Sequence, residues 1–208
     1  PEATVEGGDG YAVMPGLINA HPHSGAASHV QHGGPDMLLE SWLKALWLMR
    51  PSPTCLDILL SATRLLQGGV TSVVDLYSPV GDQKAVAEDC AAALAAYDEI
   101  GIRCAFGPGI KDQGYLGVGP GTCDEDFLDT LPGDLAARTR AHSMPGSDHV
   151  TPDQYLAVMD DLIVAWRDSE RIEVIYGPAG PPWITDPFFE KIAEAAERHD
   201  ALIQTHVS

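Results

Sequence analysis

Short runs of consecutive apolar residues alternate along the chain with longer stretches whose apolar residues recur every three or four positions, a pattern of strands feeding helices. Residues 12–19 (AVMPGLIN) read as a strand interrupted by Pro15-Gly16. From Asp36, a candidate N-cap, Leu39, Trp42, Leu43, Leu46 and Trp47 fall at helical spacing. Thr54 is placed to cap a second helix carrying Leu56, Leu59, Leu60 and Leu66, which Gly68-Gly69 stops. Residues 70–77 (VTSVVDLY) are rich in β-branched side chains and predict a buried strand. Over 83–100, Val86, Cys90, Leu94 and Tyr97 mark a helix that ends at Gly101, and 102–106 predict the next strand. Residues 107–150 hold many Gly, Pro, Ser and Asp with little periodicity, so they predict a long loop. Thr151-Pro152-Asp153-Gln154 spells a capping box with Pro at the first helical position, and Tyr155, Met159, Leu162 and Trp166 stripe the helix behind it. A strand at 172–176, a helix opened by Asp186-Pro187 with Phe189, Ile192 and Ala196, and a strand at 201–205 complete the chain.

Strands alternating with helices in this way pair in parallel through crossover connections. Five such strands suit an open doubly wound sheet or part of a (β/α)8 barrel, and they are too few to close a barrel. No G-x-G-x-x-G follows the first strand, which weakens the dinucleotide-binding version of the open sheet. A chain of 208 residues, 45% hydrophobic and 20% charged, is sized for one large domain or two small ones and has the composition of a packed globular protein. Twelve Lys plus Arg against thirty Asp plus Glu give a net charge of −18. Such an acidic surface repels phosphate backbones and anionic lipid, which argues against nucleic-acid and membrane partners. The sequence has no apolar run of the roughly 18 residues a spanning helix needs. Cys55, Cys90, Cys104 and Cys123 form no C-x-x-C pair and read as buried thiols of a reduced, cytoplasmic protein. The opening Pro1, with no basic-plus-apolar signal behind it, suggests the interior of a longer protein.

Among the eight histidines, position separates a few from the rest. His21-Pro22-His23 directly follows the first strand, and in extended backbone residues two apart point the same way, so both imidazoles can face one point. His206 lies at the corresponding end of the last strand. Like ends of parallel strands share one face of the domain, and active sites of α/β folds gather at the carboxyl face. An H-x-H pair alone is a weak metal signal; the shared face of His21, His23 and His206 makes them candidates for one metal site. His29, His32, His142, His149 and His199 read as solvated surface.

Val13-Met14-Pro15-Gly16-Leu17-Ile18-Asn19-Ala20-His21-Pro22-His23 resembles the opening signature of the amidohydrolase superfamily, in which a Pro-Gly-bearing first strand delivers two metal-binding histidines. Trp42-Leu43-Lys44-Ala45-Leu46-Trp47 and Gly69-Val70-Thr71-Ser72-Val73-Val74-Asp75 resemble the next blocks of its aminohydrolase branch, which includes guanine, cytosine, pterin and adenosine-type deaminases and triazine hydrolases. Gly177-Pro178-Ala179 and Gln204-Thr205-His206-Val207 resemble its fourth and fifth strands. The similarity covers most of the chain outside the long loop.

The resemblance implies a (β/α)8 TIM-type barrel of which about strands 1–5 lie in residues 1–208, with the remaining strands and the family's small β-sandwich outside them. It implies one divalent metal, zinc first and iron as the alternative, held by His21, His23 and His206. The family's two further ligands have no counterpart, and its proton-shuttling glutamate would fall immediately after Ser208. Strand 172–176 has no lysine, which favours a single metal over a bridged pair. The implied reaction is hydrolytic deamination of an amino-substituted purine, pterin, pyrimidine or triazine by a metal-bound hydroxide. Hydrolysis of an amide or a chlorinated ring, and an inactive metal-binding barrel fragment, are the alternatives. Asp75 is a candidate carboxylate partner for a ligand histidine, and Trp47 and Trp183 are candidates for stacking on a flat ring. A small molecule is the expected partner, with a second copy of the chain left open.

Overall fold

The structure is a computed structural model that describes residues 7–24, 31–34, 36–46, 49, 52–116, 123–143 and 149–207. Within them run β1 (Leu17–Asn19), α1 (Leu39–Leu46), α2 (Thr54–Gln67), β2 (Val70–Tyr77), α3 (Gln83–Ile100) and β3 (Arg103–Ile110). There follow α4 (Asp124–Asp129), α5 (Gly133–Ser143), α6 (Pro152–Trp166), β4 (Ile172–Val174), β5 (Gly177–Pro178), a 3-10 turn at Pro181–Trp183 and α7 (Asp186–His199). All strand pairs are parallel, in the order β1-β2-β3-β4, with β5 returning to pair with β3.

The Pro-Gly break shortens the first strand: it begins only at Leu17, whose N–H donates to the Gly69 carbonyl at 2.9 Å. A Cβ at Gly16 would collide with the Thr71 side chain, so the close approach of these segments requires glycine there. On β2 and β3 the alternation of the pleat sends Val73, Tyr77, Cys104 and Phe106 into the layer between sheet and helices. That layer is filled by Leu94 and Tyr97 of α3, Tyr155 and Met159 of α6, and Phe188 and Ile192 of α7, all buried. Side chains of this size each contribute about 1.5–3 kcal/mol when fully removed from water. The helix-covered face is therefore the core that holds the strands in register.

The helix ends at Gly68, Gly101 and Thr151 follow the sequence, while those at Asp36 and Thr54 depart from it, α1 starting only at Leu39. Gly101 takes the left-handed conformation, φ 81°, that lets its N–H close on the Tyr97 carbonyl. Thr151 and Gln154 form the reciprocal capping box, and Asp82 caps α3 through the Ala85 N–H. Thr54, in contrast, is the first residue inside α2, and Pro53 stands at the cap without a side-chain bond. The Thr54 hydroxyl instead donates to Asp89, which also accepts from Tyr77 at 2.6 Å, tying α2, α3 and β2 together.

Three other expectations differ from the structure. Residues 107–150 are not one long loop: β3 runs to Ile110, and α4 and α5 lie within the stretch. The α4 cap is Cys123, whose sulfur accepts from the Asp126 N–H, and the helix buries only Leu128, so it shows no apolar stripe. The 201–205 strand is reduced to one parallel bridge, Tyr176 with Ile203. Past Tyr176 the chain turns back onto β3 through Gly177 and Pro178, which leaves that segment a ladder partner at a single residue. The cysteines also divide, with Cys90 and Cys104 buried and Cys55 and Cys123 exposed.

The described residues include no helix long and apolar enough to cross a membrane. Thr151→Ala removes one half of the α6 capping box and is expected to lower stability by about 1 kcal/mol in urea unfolding. An unchanged midpoint and slope would show that the box carries no stability.

Candidate metal centre

His21 and His23 leave the carboxyl end of β1, and His206 follows the Tyr176–Ile203 bridge on the same side of the sheet. The rings meet: centroids of His21 lie 4.9 Å from those of His23 and of His206, edge-on, while His23 and His206 stack at 5.3 Å. One nitrogen from each lies within 4.8 Å of the others. Among the described residues this is the grouping of three such side chains able to surround an ion.

Backbone carbonyls decide which nitrogen each ring presents. His23 Nδ1 donates to the Leu76 carbonyl at 2.7 Å and His206 Nδ1 to the Ala179 carbonyl at 2.6 Å. A carbonyl only accepts, so both Nδ1 atoms carry the proton, and in the neutral imidazole both Nε2 atoms carry a lone pair. Those Nε2 atoms face each other at 3.3 Å. Two lone pairs at that distance repel unless a cation lies between them. A tetrahedral ion with bonds of about 2.0–2.1 Å holds its nitrogens about 3.3 Å apart, so the His23–His206 pair fits zinc-like coordination, with His21 within 4.8 Å to complete the set. Burial lowers the pKa of His21, with His206 adding to it, and burial likewise lowers that of His23 against the raising effect of the Leu76 bond. Both shifts favour the neutral imidazole that a metal needs.

Below the rings the turn Pro22-His23-Ser24 is fastened to β2 residue by residue. The Leu76 N–H donates to the Pro22 carbonyl at 3.1 Å, the His23 ring donates to Leu76, and the Ser24 N–H donates to Asp75 Oδ1 at 3.0 Å. Asp75 Oδ2 accepts from the Tyr97 hydroxyl at 2.8 Å, and that hydroxyl lies 2.6 Å from Ser24 Oγ. Asp75 is thus not the carboxylate partner of an imidazole; Leu76 and Ala179 supply those partners from the main chain, where sequence carries no signal for them. Gln204 Nε2 donates to the Ala20 carbonyl at 2.9 Å, linking the last segment to the residue before His21.

Trp183 packs beside Gly180, which also approaches the His206 main chain. A Cβ built on Gly180 would lie 3.0 Å from the His206 carbonyl and 3.3 Å from Trp183 Cε3. Its backbone carbonyl accepts from Asp112 and Gln113, which staples the turn after β5 to the segment after β3. Trp47 and His29 lie outside the described residues. His32 and His149 are exposed, whereas His199 is not plain surface: its Nε2 lies 2.7 Å from Asp160, with its side chain 21% exposed.

Asp75 is fully buried, and that burial raises its pKa from 3.8 to about 6, against the lowering effect of the Ser24 and Tyr97 hydrogen bonds. A folded-state pKa above the unfolded value means stability present below about pH 4 and lost as pH rises through about 6. Between pH 4 and pH 8 the wild-type protein should therefore lose about 2 kcal/mol relative to Asp75→Asn, read from urea unfolding across that range. A difference independent of pH would show that Asp75 is not the titrating group.

A profile of the amidohydrolase family matches residues 12–208. The chain is 27% identical to a 5-methylthioadenosine/S-adenosylhomocysteine deaminase of Caldanaerobacter subterraneus subsp. tengcongensis, covering 100% of this chain and 39% of that protein. It is 26% identical to a 5'-deoxyadenosine deaminase of Methanosarcina mazei, over 98% of this chain and 39% of the relative. The chain thus spans about two-fifths of the length of these curated relatives. Its fold is shared with the zinc-complexed atrazine chlorohydrolase of Arthrobacter aurescens TC1, at TM-score 0.69 and 20% identity over 93% of this chain and 41% of that one. A zinc-bound adenosine deaminase of Xanthomonas campestris superposes with TM-score 0.66 at 23% identity, over 93% of this chain and 36% of that structure. The parallel strands with alternating helices are those of the amidohydrolase TIM barrels, and the chain belongs to the amidohydrolase family.

Proposed function

We propose that His21, His23 and His206 hold one divalent metal, zinc first, in a hydrolase that releases the amino group of an aromatic heterocycle as ammonia. The observation that carries this is the pair of Nε2 lone pairs facing each other at 3.3 Å, both tautomers fixed by backbone carbonyls. When bound, such a metal supplies Lewis acidity and lowers the pKa of a water to about 7. The chain's own residues do the positioning. The Leu76 and Ala179 carbonyls hold two rings by their far nitrogens and leave the near ones unprotonated. Trp183, packed beside Gly180, offers a flat face for a planar substrate. The names of the relatives favour adenosine-type nucleosides within the wider class of aminopurines, pterins, aminopyrimidines and triazines.

The net charge of −18 supports a small-molecule partner over nucleic acid or anionic membrane, and the free cysteines support a cytoplasmic setting. Purified in full length, the protein should hold about one equivalent of zinc and release ammonia from an adenosine-type nucleoside. His206→Ala should lose the metal and lower turnover more than about 100-fold, as removal of a ligand exceeds the loss from its outer partners. Ammonia release that survives both chelation and His206→Ala would overturn the assignment of the metal to these histidines. Turnover of chlorinated rings or amides alone would overturn the deaminase reading and leave the metal assignment standing.

A further inference from the structure

We propose that Asp75, backed by Tyr97, is a positioning residue of the histidine centre: it clamps Ser24 to the end of β2 and thereby fixes where His23 Nε2 points. The inference rests on the reading of this centre as a metal site, and it concerns residues that touch neither ion nor substrate.

Among the described residues, few contacts hold His23. β1 ends at Asn19, so the ladder between β1 and β2 stops before the histidines. Pro22 has no N–H to continue it. Beyond the strand, the attachments of this turn to β2 are the Leu76–Pro22 backbone bond, the His23–Leu76 ring bond and the Ser24–Asp75 bond. The Asp75 bond comes directly after His23 and prevents the residue from rotating away from the sheet. Asp75 is 0% exposed on the helix-facing side of β2, and Ser24 is 1% exposed, so the anchor is shielded from competing water. Tyr97, from the last turns of α3 and also 0% exposed, reaches both members of the clamp with one hydroxyl. Cys104 of β3 completes the titratable surroundings, and its thiol is pushed up by burial and by Asp75.

A carboxylic acid in this mostly apolar layer is not needed for packing. A leucine would fill the same space without a charged form to desolvate. The arrangement makes sense as geometry: a short side chain whose two oxygens take donors from two different elements, one of them the neighbour of a ligand. Asp75→Asn preserves part of this, because its oxygen can still accept from the Ser24 N–H while its amide donates to Tyr97, whose hydroxyl then donates to Ser24. Asp75→Ala preserves none of it.

The test compares Asp75→Ala, Asp75→Asn and Tyr97→Phe in the full-length protein with Met159→Ala, a cavity in the same layer but on α6, away from the clamp. Three readouts are taken: zinc affinity by chelator competition, the visible spectrum of the cobalt(II)-substituted protein, and the imidazole nitrogen shifts of His23 without metal. Asp75→Ala should weaken zinc binding about tenfold or more, shift the cobalt bands and average the His23 tautomers. Tyr97→Phe should do so to a smaller degree, Asp75→Asn should recover most of the affinity, and Met159→Ala should resemble wild type in all three. Wild-type readouts in both Asp75→Ala and Tyr97→Phe would overturn the proposal, as would an equal loss in Met159→Ala. If Asp75→Ala does not fold, Tyr97→Phe decides. If the wild-type protein takes up no zinc, the metal reading falls, and the His23 shifts alone decide whether Asp75 positions the ring.

Discussion

Two imidazoles pinned by their Nδ1 protons to backbone carbonyls, with their remaining lone pairs 3.3 Å apart, set the constraint around which the rest of the molecule is arranged. The pinning atoms belong to Leu76, near the end of β2, and to Ala179, directly after β5. Parallel strands leave their carbonyls and their connecting loops at the same edge, and that edge is where the rings meet. An antiparallel sheet would send alternate strand ends to opposite sides and could not gather these donors. The apolar layer under α3, α6 and α7 contributes by fixing the relative heights of the strands, and hence of the carbonyls. Fold and site are in this sense one argument: register determines tautomer, and tautomer determines which nitrogen can bind a cation.

Two polar clusters gather at the end of β2. Asp75 and Ser24 lie under His23, and the Tyr77–Asp89–Thr54 group joins β2 to the two helices that flank it. Each polar contact inside the core costs desolvation that an apolar pair would avoid. Both groups bind the last residues of β2, the strand whose end carries the Leu76 carbonyl. Stability and site precision therefore draw on the same side chains in opposite directions, which is the usual relation at a functional edge.

What could be read from the sequence depended on how local its cause was. The β-branched run of β2 and the apolar stripe of α3 gave bounds identical to those observed, because side-chain pattern alone specifies them. The capping box at Thr151 was equally plain. Helices α4 and α5 escaped notice since one is capped by a cysteine and the other, Gly133–Ser143, carries a polar composition with no continuous apolar face. The 201–205 strand shrank to one bridge through a turn in its neighbour that its own residues do not encode. Within the site, His21, His23 and His206 were marked by type and position, while the groups that orient them were not. Leu76 and Ala179 act through main-chain oxygens, to which any residue there would contribute equally. Asp75 is legible as a carboxylate at a strand end, yet its partners are the Ser24 N–H and the Tyr97 hydroxyl, and the pleat turns it toward the helices instead of the rings.

Among the described residues, few contacts join the stretch around His21 to the 201–207 segment. β1 is three residues long, and within residues 7–207 Leu17 and Ile18 are exposed. Toward the 201–207 segment, the described contacts of the stretch around His21 are the Gln204–Ala20 hydrogen bond and the imidazoles themselves. A cation shared by His21, His23 and His206 would add bonds at this sparsely supported seam. Binding and ordering of the seam are then the same free energy counted once. The turn that carries His23 is fastened to β2 by three hydrogen bonds, and a shared ion would join it to His21 and His206.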